Sequence, residues 1–292
     1  MPVTSSPLRY PGGKTQLYSF VKEMISLNEI ETCTYIEPYS GGFGTGIELL
    51  LKGDVSRVVI NDYDKSIYSL WYSIINETEQ LISLIESTPI SIEEWHRQKK
   101  IHEEVKEFES SIENGFSTLF LNRTNRSGII GAGPIGGYAQ KGKYKLDCRF
   151  NKTVLIKKIK QIARQKDRID LYRLDALELI DLILRKYSPK KSFIFFDPPY
   201  YIQGKNLYTN FYKHEDHREL AEGINRLQNY YWITTYDYAT QIQEIYSQYE
   251  NKAFSYELLY SAQRKRKATE YLFASCKTKL PLTDIKVRLN SI

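Results

Sequence analysis

The chain has 292 residues, 41% of them hydrophobic and 26% charged, with a formal net charge of +6 and a pI near 8.9. That length suits one large domain, or a core with an insert, and the composition is ordinary for a soluble globular protein. The charge excess permits a nucleic-acid partner without demanding one. Three cysteines, far apart and without a C-x-x-C pair, argue against a disulfide framework or a zinc site and fit a reducing cytosol. The 24 tyrosines offer stacking surfaces with a polar tip. MPVTSS carries no charged-then-apolar leader pattern, and no apolar run is long enough to span a membrane, so a cytoplasmic protein is expected.

The first distinctive stretch is RYPGGKTQ (9–16), which ends in Gly-Lys-Thr as a P-loop does. A P-loop needs another glycine five positions before the last one, after a buried strand. Here that position is Leu8, and only MPVTSSPL precedes the motif. ATP hydrolysis is not supported, and Lys14 is left as a cation with a different task. Next come the strand-like runs TYIEPYSGG (34–42) and RVVINDYD (57–64), then IDLYRLDA (169–176), SFIFFDPPYY (192–201) and YYWITTYD (230–237). Pro198 and Pro199 must stop the fourth, since each lacks an N–H and fixes φ. Helical patterns separate these runs: GTGIELLLK, KSIYSLWYSIINETEQLISLIES, VLIKKIKQIARQ and DHRELAEGINRLQ. The alternation predicts an α/β fold with a mainly parallel sheet, which binds ligands at the carboxyl ends of its strands.

Two regions break the alternation. KAFSYELLYSAQRKRKATEYLFASCK (252–277) reads as strand, basic tip, strand, an antiparallel pair at one side of the sheet. Residues 77–150 hold a charged helix, SIEEWHRQKKIHEEVKEFE, and then a Gly-, Arg- and Lys-rich stretch without apolar period. They read as an inserted module with a long functional loop, set into a domain made of 1–76 and 151–292. His214 and His217 in HEDH lack the spacing of a zinc motif and read as exposed residues at a helix start, so no metal site is expected.

The candidate chemistry gathers at strand ends. Glu37-Pro38-Tyr39-Ser40-Gly41-Gly42-Phe43-Gly44 opens a turn whose glycines let the backbone bend sharply and approach a ligand. Asp62, at the end of the second strand, suits the two hydroxyls of a ribose, though Asp is also a common turn residue. Asp197-Pro198-Pro199-Tyr200 supplies a carboxylate, carbonyls without donors and an aromatic face. That set can hold an exocyclic amine and the ring bearing it, as a flipped-out nucleobase requires. The plainer alternative is a strand followed by a rigid turn and a packed tyrosine.

DPPY, with EPYSGGFGTG upstream and RYPGGK at the N-terminus, resembles the D12 class of Dam-like DNA adenine-N6 methyltransferases, which use S-adenosylmethionine. The likeness runs from about Leu8 to about Ala274 and implies a Rossmann-like class I methyltransferase fold. It further implies that Tyr10 and Lys14 contact the cofactor, that Glu37 and the turn with Gly41, Gly42 and Gly44 hold its methionine end, and that Asp62 takes its ribose. Asp175 would receive its adenine amine, with a helix-cap role as the alternative. Asp197 would border both cofactor and target base, and Tyr200 would stack on a flipped adenine in double-stranded DNA. Cytosine N4 presents the same kind of amine, but Asp at the head of DPPY leans towards adenine. A DNA-binding module without catalysis is the remaining alternative.

For DNA contacts, NRTNRSG (122–128) places Arg123, Asn125 and Arg126 in the inserted module, and Lys143-Tyr144 ends the recognition pattern. Arg264-Lys265-Arg266-Lys267 tips the C-terminal strand pair, where backbone phosphates are the expected partner. The stretch after Gly128 departs from the Dam subgroup, with Gly131 near the place of an expected arginine, which argues against GATC as the target. A monomer is expected, and a restriction endonuclease is a conceivable partner.

Overall fold

Five short runs rich in β-branched and aromatic residues form the parallel part of one sheet: β1 (Thr34–Glu37), β2 (Arg57–Asn61), β3 (Ile169–Tyr172), β4 (Ser192–Phe196) and β5 (Tyr231–Asp237). In the computed structural model, residues 4–9, 14–202, 212–260, 266–281 and 287–292 are described. The expected antiparallel pair is present as β6 (Ala253–Tyr260) and β7 (Arg266–Ala274), with β8 (Asn290–Ser291) beside β6. The strand order is β3-β2-β1-β4-β5-β7-β6-β8. It reverses direction between β1 and β4, the switch point at which open α/β sheets leave a crevice for ligands.

Alternation along each strand gives the sheet two buried faces. Tyr35, Val58, Phe193, Phe195 and Leu272 face one core. Its helices are α1 (Tyr18–Leu27), α2 (Gly44–Lys52), α3 (Lys65–Asn76), α4 (Thr78–Ser87), α5 (Ile92–Val105), α6 (Ile112–Thr124) and α7 (Lys152–Ala163). Ile36, Val59, Ile194, Trp232 and Tyr271 face the other, against α8 (Ala176–Lys186), α9 (His214–Asn225) and α10 (Thr240–Ile245). The architecture is a mixed α/β, Rossmann-like sheet, mainly parallel, with antiparallel C-terminal strands.

The long helical pattern 65–87 is interrupted at Glu77 (φ −123°, ψ 34°). There the Thr78 hydroxyl donates to the Ile74 carbonyl at 2.8 Å, satisfying one of the acceptors that every helix end leaves open. The segment 77–150 shares its apolar core with the sheet: Trp95, Phe116, Phe120, Leu146 and Phe150 join the cluster that holds Tyr35 and Phe193. Contact with the sheet's helices is close, since a Cβ on Gly115 of α6 would lie 2.8 Å from the Ser69 carbonyl oxygen of α3. No helix among the described residues is long and apolar enough to cross a membrane. No three of their His, Cys, Asp and Glu side chains gather as a metal centre.

Candidate active site

The exits of β1, β2 and β3 are fastened together by short polar side chains. Ser40 donates to the Glu37 carbonyl and accepts the Asn61 N–H, both at 2.9 Å. The Asn61 amide donates to the Pro38 carbonyl at 2.9 Å and the Leu174 carbonyl at 3.0 Å, and its oxygen accepts the Leu174 N–H at 2.9 Å. Asp62 accepts the N–H of Gly41 at 2.8 Å and of Asp64 at 3.0 Å. Gly41 and Phe43 both take φ of +45°, a region glycine enters freely and a β-carbon disfavours, so Phe43 stores a little strain in this tight turn. The two glycines that follow are needed for packing: a Cβ on Gly44 would lie 2.1 Å from Thr15 Oγ1, and one on Gly46 2.2 Å from the Phe43 ring. Gly42 lends its carbonyl to the Ser6 hydroxyl at 2.5 Å.

Two carboxyls in this cradle are pushed up. Burial moves Glu37 to about 8 and the charge of Asp197 adds to it, against the lowering effect of the Tyr35 hydroxyl, which donates to Glu37 at 2.6 Å. Burial moves Asp62 to about 7, reinforced by Asp64 and opposed by the two N–H donors. No lysine or arginine among the described residues balances either carboxyl, so the cradle favours a cationic or hydroxyl-bearing guest. Asp175 caps α8: it accepts the Leu177 N–H at 2.9 Å while Glu178 accepts the Asp175 N–H at 3.0 Å. The helix-cap alternative is thus the role its hydrogen bonds display.

At the end of β4 stands a buried polar network. Lys14 Nζ lies 3.2 Å from Asp197 Oδ1, 3.0 Å from Glu270 Oε2 and 2.9 Å from the Tyr200 hydroxyl. Tyr200 donates to Glu270 Oε1 at 2.5 Å, and Tyr256 donates to Glu270 Oε2 at 2.6 Å. Thr235 donates to Asp197 Oδ1 at 2.8 Å. Lys14 is 6% exposed and Glu270 1%, whereas the Asp197 side chain keeps 23% of its surface open. Asp197 is thus the most open of these three charged groups. Burial raises the Asp197 carboxyl; Lys14 opposes the rise and Glu270 reinforces it. Asp237 accepts the N–H of Tyr201 at 2.7 Å and of Ile202 at 2.8 Å, locking the chain just beyond the prolines.

The structure adds four residues to this site that the sequence motifs did not mark: Glu270, Tyr256, Thr235 and Asp237. It also corrects the reading of HEDH. His214 is exposed, but His217 is fully buried on the inner side of α9, with Nδ1 3.2 Å from the Tyr236 hydroxyl. Burial lowers its imidazole to about 4 and keeps it neutral. Tyr201, Tyr212 and Tyr236 surround it with ring centroids 5.2 to 5.5 Å away.

The residues of NRTNRSG divide by what they touch. Asn125 is fully buried: its oxygen accepts Trp95 Nε1–H at 2.6 Å, and its amide donates to the carbonyls of Ile129 and Ile130 at 3.1 and 2.7 Å. It braces the loop and is sealed from any base, which corrects its reading as a DNA contact. Arg123 donates to the Arg149 carbonyl at 2.6 Å. Arg126, Lys143 and Tyr144 are exposed. Asn122 joins the loop to the N-terminal motif: it accepts the Arg9 N–H and donates to the carbonyls of Arg9 and Gly128, each at 2.8 Å. Tyr10, Arg264 and Lys265 lie outside the described residues, and Arg266 and Lys267 open β7, paired with Tyr260 and Leu259.

The Type II methyltransferase M.MjaIII of Methanocaldococcus jannaschii is 25% identical over 221 residues, 71% of this chain and 73% of that protein. Two structures of the rRNA methyltransferase aviRa from Streptomyces viridochromogenes align with TM-scores of 0.40 and 0.35 at 10% and 8% identity, over 92% and 88% of this chain and 87% and 84% of theirs. A model of the D12 class N6 adenine-specific DNA methyltransferases matches residues 10–267, which include Lys14, the turn after β1 and DPPY, so the chain belongs to that family.

Proposed function

We propose that the chain transfers a methyl group from S-adenosylmethionine to N6 of an adenine flipped out of double-stranded DNA, with Asp197 and Pro198 receiving the amine. The observation that carries this assignment is the partly open Asp197 carboxylate, one oxygen of which is held by Thr235 and Lys14. Bound S-adenosylmethionine supplies a methyl group already made electrophilic by its sulfonium. The cradle at the ends of β1 and β2 fits such a guest, since Glu37 and Asp62 are buried carboxyls with no cationic partner among the described residues. Glu37 and the backbone from Gly41 to Gly44 would take the methionine end and Asp62 the ribose, with Asp175 near the adenine.

Asp197 and the Pro198 carbonyl each accept one hydrogen of the adenine amine. These bonds favour a tetrahedral nitrogen with a localised lone pair, whereas the free amine is delocalised into its ring. Fixed acceptors and alignment supply much of the rate in such a transfer. Pro198 and Pro199 hold the carbonyls in place without offering a donor. Lys14 and Glu270 orient the Tyr200 phenol, so its ring is a fixed surface for the base to stack on. Residues 77–150 carry the DNA-recognition loop, with Arg126, Lys143 and Tyr144 available to bases or phosphates, and residues 264–267 add phosphate contacts at the hairpin tip. The protein works as a monomer, and its Type II relative makes a restriction endonuclease a reasonable partner.

Asp197→Ala tests the assignment. Methylation should fall by at least about a hundredfold, as for loss of a preorganised transition-state contact, while duplex affinity stays largely intact. Full activity in that variant would refute the role of DPPY.

A further inference from the structure

The residues that join the N-terminal segment to the 126–149 loop hold a group of cations that the methyl-transfer site does not use. Lys158 of α7 donates to the Ser6 carbonyl at 3.1 Å and also to the Thr4 carbonyl at 2.5 Å. Arg123 of α6 reaches the Pro7 carbonyl at 3.5 Å and the Arg149 carbonyl at 2.6 Å, and Arg9 reaches the Asn125 carbonyl at 3.3 Å. Main-chain carbonyls thus draw Lys158 and Arg123 onto residues 4–7, while Arg9 reaches from the same segment to the start of the loop. Arg149, half-buried at the end of the loop, stands beside Arg9 and Arg123 with no hydrogen bond or ion pair to its guanidinium among the described residues.

Like charges are expensive to gather without anions between them. Arg9, Arg123 and Lys158 are each shifted down, first by burial and then by a neighbouring cation; Arg123 falls to about 10. The exposed Cys148 thiol also borders Arg9 and Arg123. The acid that Lys158 feels is Glu48, which is already engaged by Lys52 at 2.8 Å and by the Ser5 hydroxyl. Among the described residues, then, no acid is left over to balance these cations. The cluster lies at both ends of the loop, Asn125 and Arg149. Arg9 is five residues from Lys14, so an extended chain sets the two at most about 17 Å apart. That is within reach of the phosphates flanking a nucleotide bound at Asp197.

We propose that Arg9, Arg123, Arg149 and Lys158 form a phosphodiester-binding site that anchors the DNA strand at the base of the recognition loop. The proposal rests on the reading of the chain as a DNA methyltransferase. It assigns these residues to positioning the strand, not to reading its sequence.

Arg149→Gln is the direct test, because its guanidinium makes no hydrogen bond or ion pair among the described residues; thermal unfolding and cofactor affinity serve as controls. Binding of unmodified duplex would be followed by fluorescence anisotropy from 50 to 200 mM salt. Loss of one phosphate contact should lower the slope of log affinity against log salt by about 0.9, so the variant's affinity falls about threefold less than that of the parent over this range. The weakening should be alike on unrelated sequences, and Arg149→Lys should restore the slope. An unchanged slope in Arg149→Gln, or a loss confined to one sequence, would overturn the site. The parent protein separates the two claims: if it methylates adenine while Arg149→Gln leaves the slope intact, only the phosphate site falls. If the parent binds no duplex at any salt, both fall.

Discussion

Lys14 sits between two carboxylates and a phenol, and removing it together with Glu270 should cost less than the two separate losses added. In Lys14→Met, Glu270 stays 1% exposed and loses its ion pair with Lys14, while the hydroxyls of Tyr200 and Tyr256 still solvate it. Breaking a buried pair in this way costs about 3–5 kcal/mol. The hydroxyl donors that remain set the expectation at the lower end, about 3 kcal/mol. For a chain of this size that is a fall in Tm of about 6 °C. Glu270→Gln leaves Lys14 with Asp197 as a carboxylate partner and turns an amide N–H₂ towards other donors, a loss of about 1–3 kcal/mol. The double variant removes both charges and should lose less than the sum, with a coupling of about 2 kcal/mol. Urea unfolding of the four proteins measures the cycle. Additivity within about 0.5 kcal/mol, the behaviour of independent sites, would refute the claim that these residues act as one buried unit.

The cradle predicts a pH dependence. With Glu37 at about 8 and Asp62 at about 7, the empty protein carries protons near pH 6 that its unfolded chain does not. Its stability should therefore fall as pH rises through that window. A cationic cofactor favours the ionised carboxylates, so its binding should release protons and tighten from pH 6 towards pH 8, up to tenfold per pH unit for each proton released. Calorimetry in buffers of different ionisation enthalpy reads the proton count, and a count of zero across pH 6–8 would contradict the assignment of Glu37. Gly128→Ala should cost about 1–3 kcal/mol, because φ is +79° and the new Cβ would lie 2.2 Å from the Arg9 carbonyl oxygen; denaturant unfolding checks this, and cofactor affinity should weaken with it through the 9–14 segment. Replacing residues 264–267 by alanine should weaken DNA binding at all sequences and flatten its salt dependence, whereas a sequence-selective loss would mean that these side chains read bases.

The strands were legible because each is a short apolar run closed by a polar or proline residue, and DPPY was legible because its four groups are adjacent. Glu270 was not. It is far from DPPY in sequence, and its neighbourhood reads as an ordinary antiparallel strand. Only the register, which sets Glu270 opposite both Asp237 and Tyr256, brings it to Lys14. Its one signal was an acid at an inward-facing position of an alternating strand. Asn125 misled for the opposite reason. Its place between two arginines suggested a base contact, but the amide is spent on Trp95 and two loop carbonyls that no local pattern reveals. His217 was misjudged from the polar residues around it in HEDH; the inward turn of α9 against Tyr236 decides its burial.

The most direct test of the central claim is mass spectrometry of nucleosides from mixed-sequence duplex DNA incubated with the purified protein and S-adenosylmethionine. N6-methyladenine, absent when Asp197→Ala replaces the parent, is the predicted result. N4-methylcytosine in its place, or no methylated base although the cofactor binds, would contradict it.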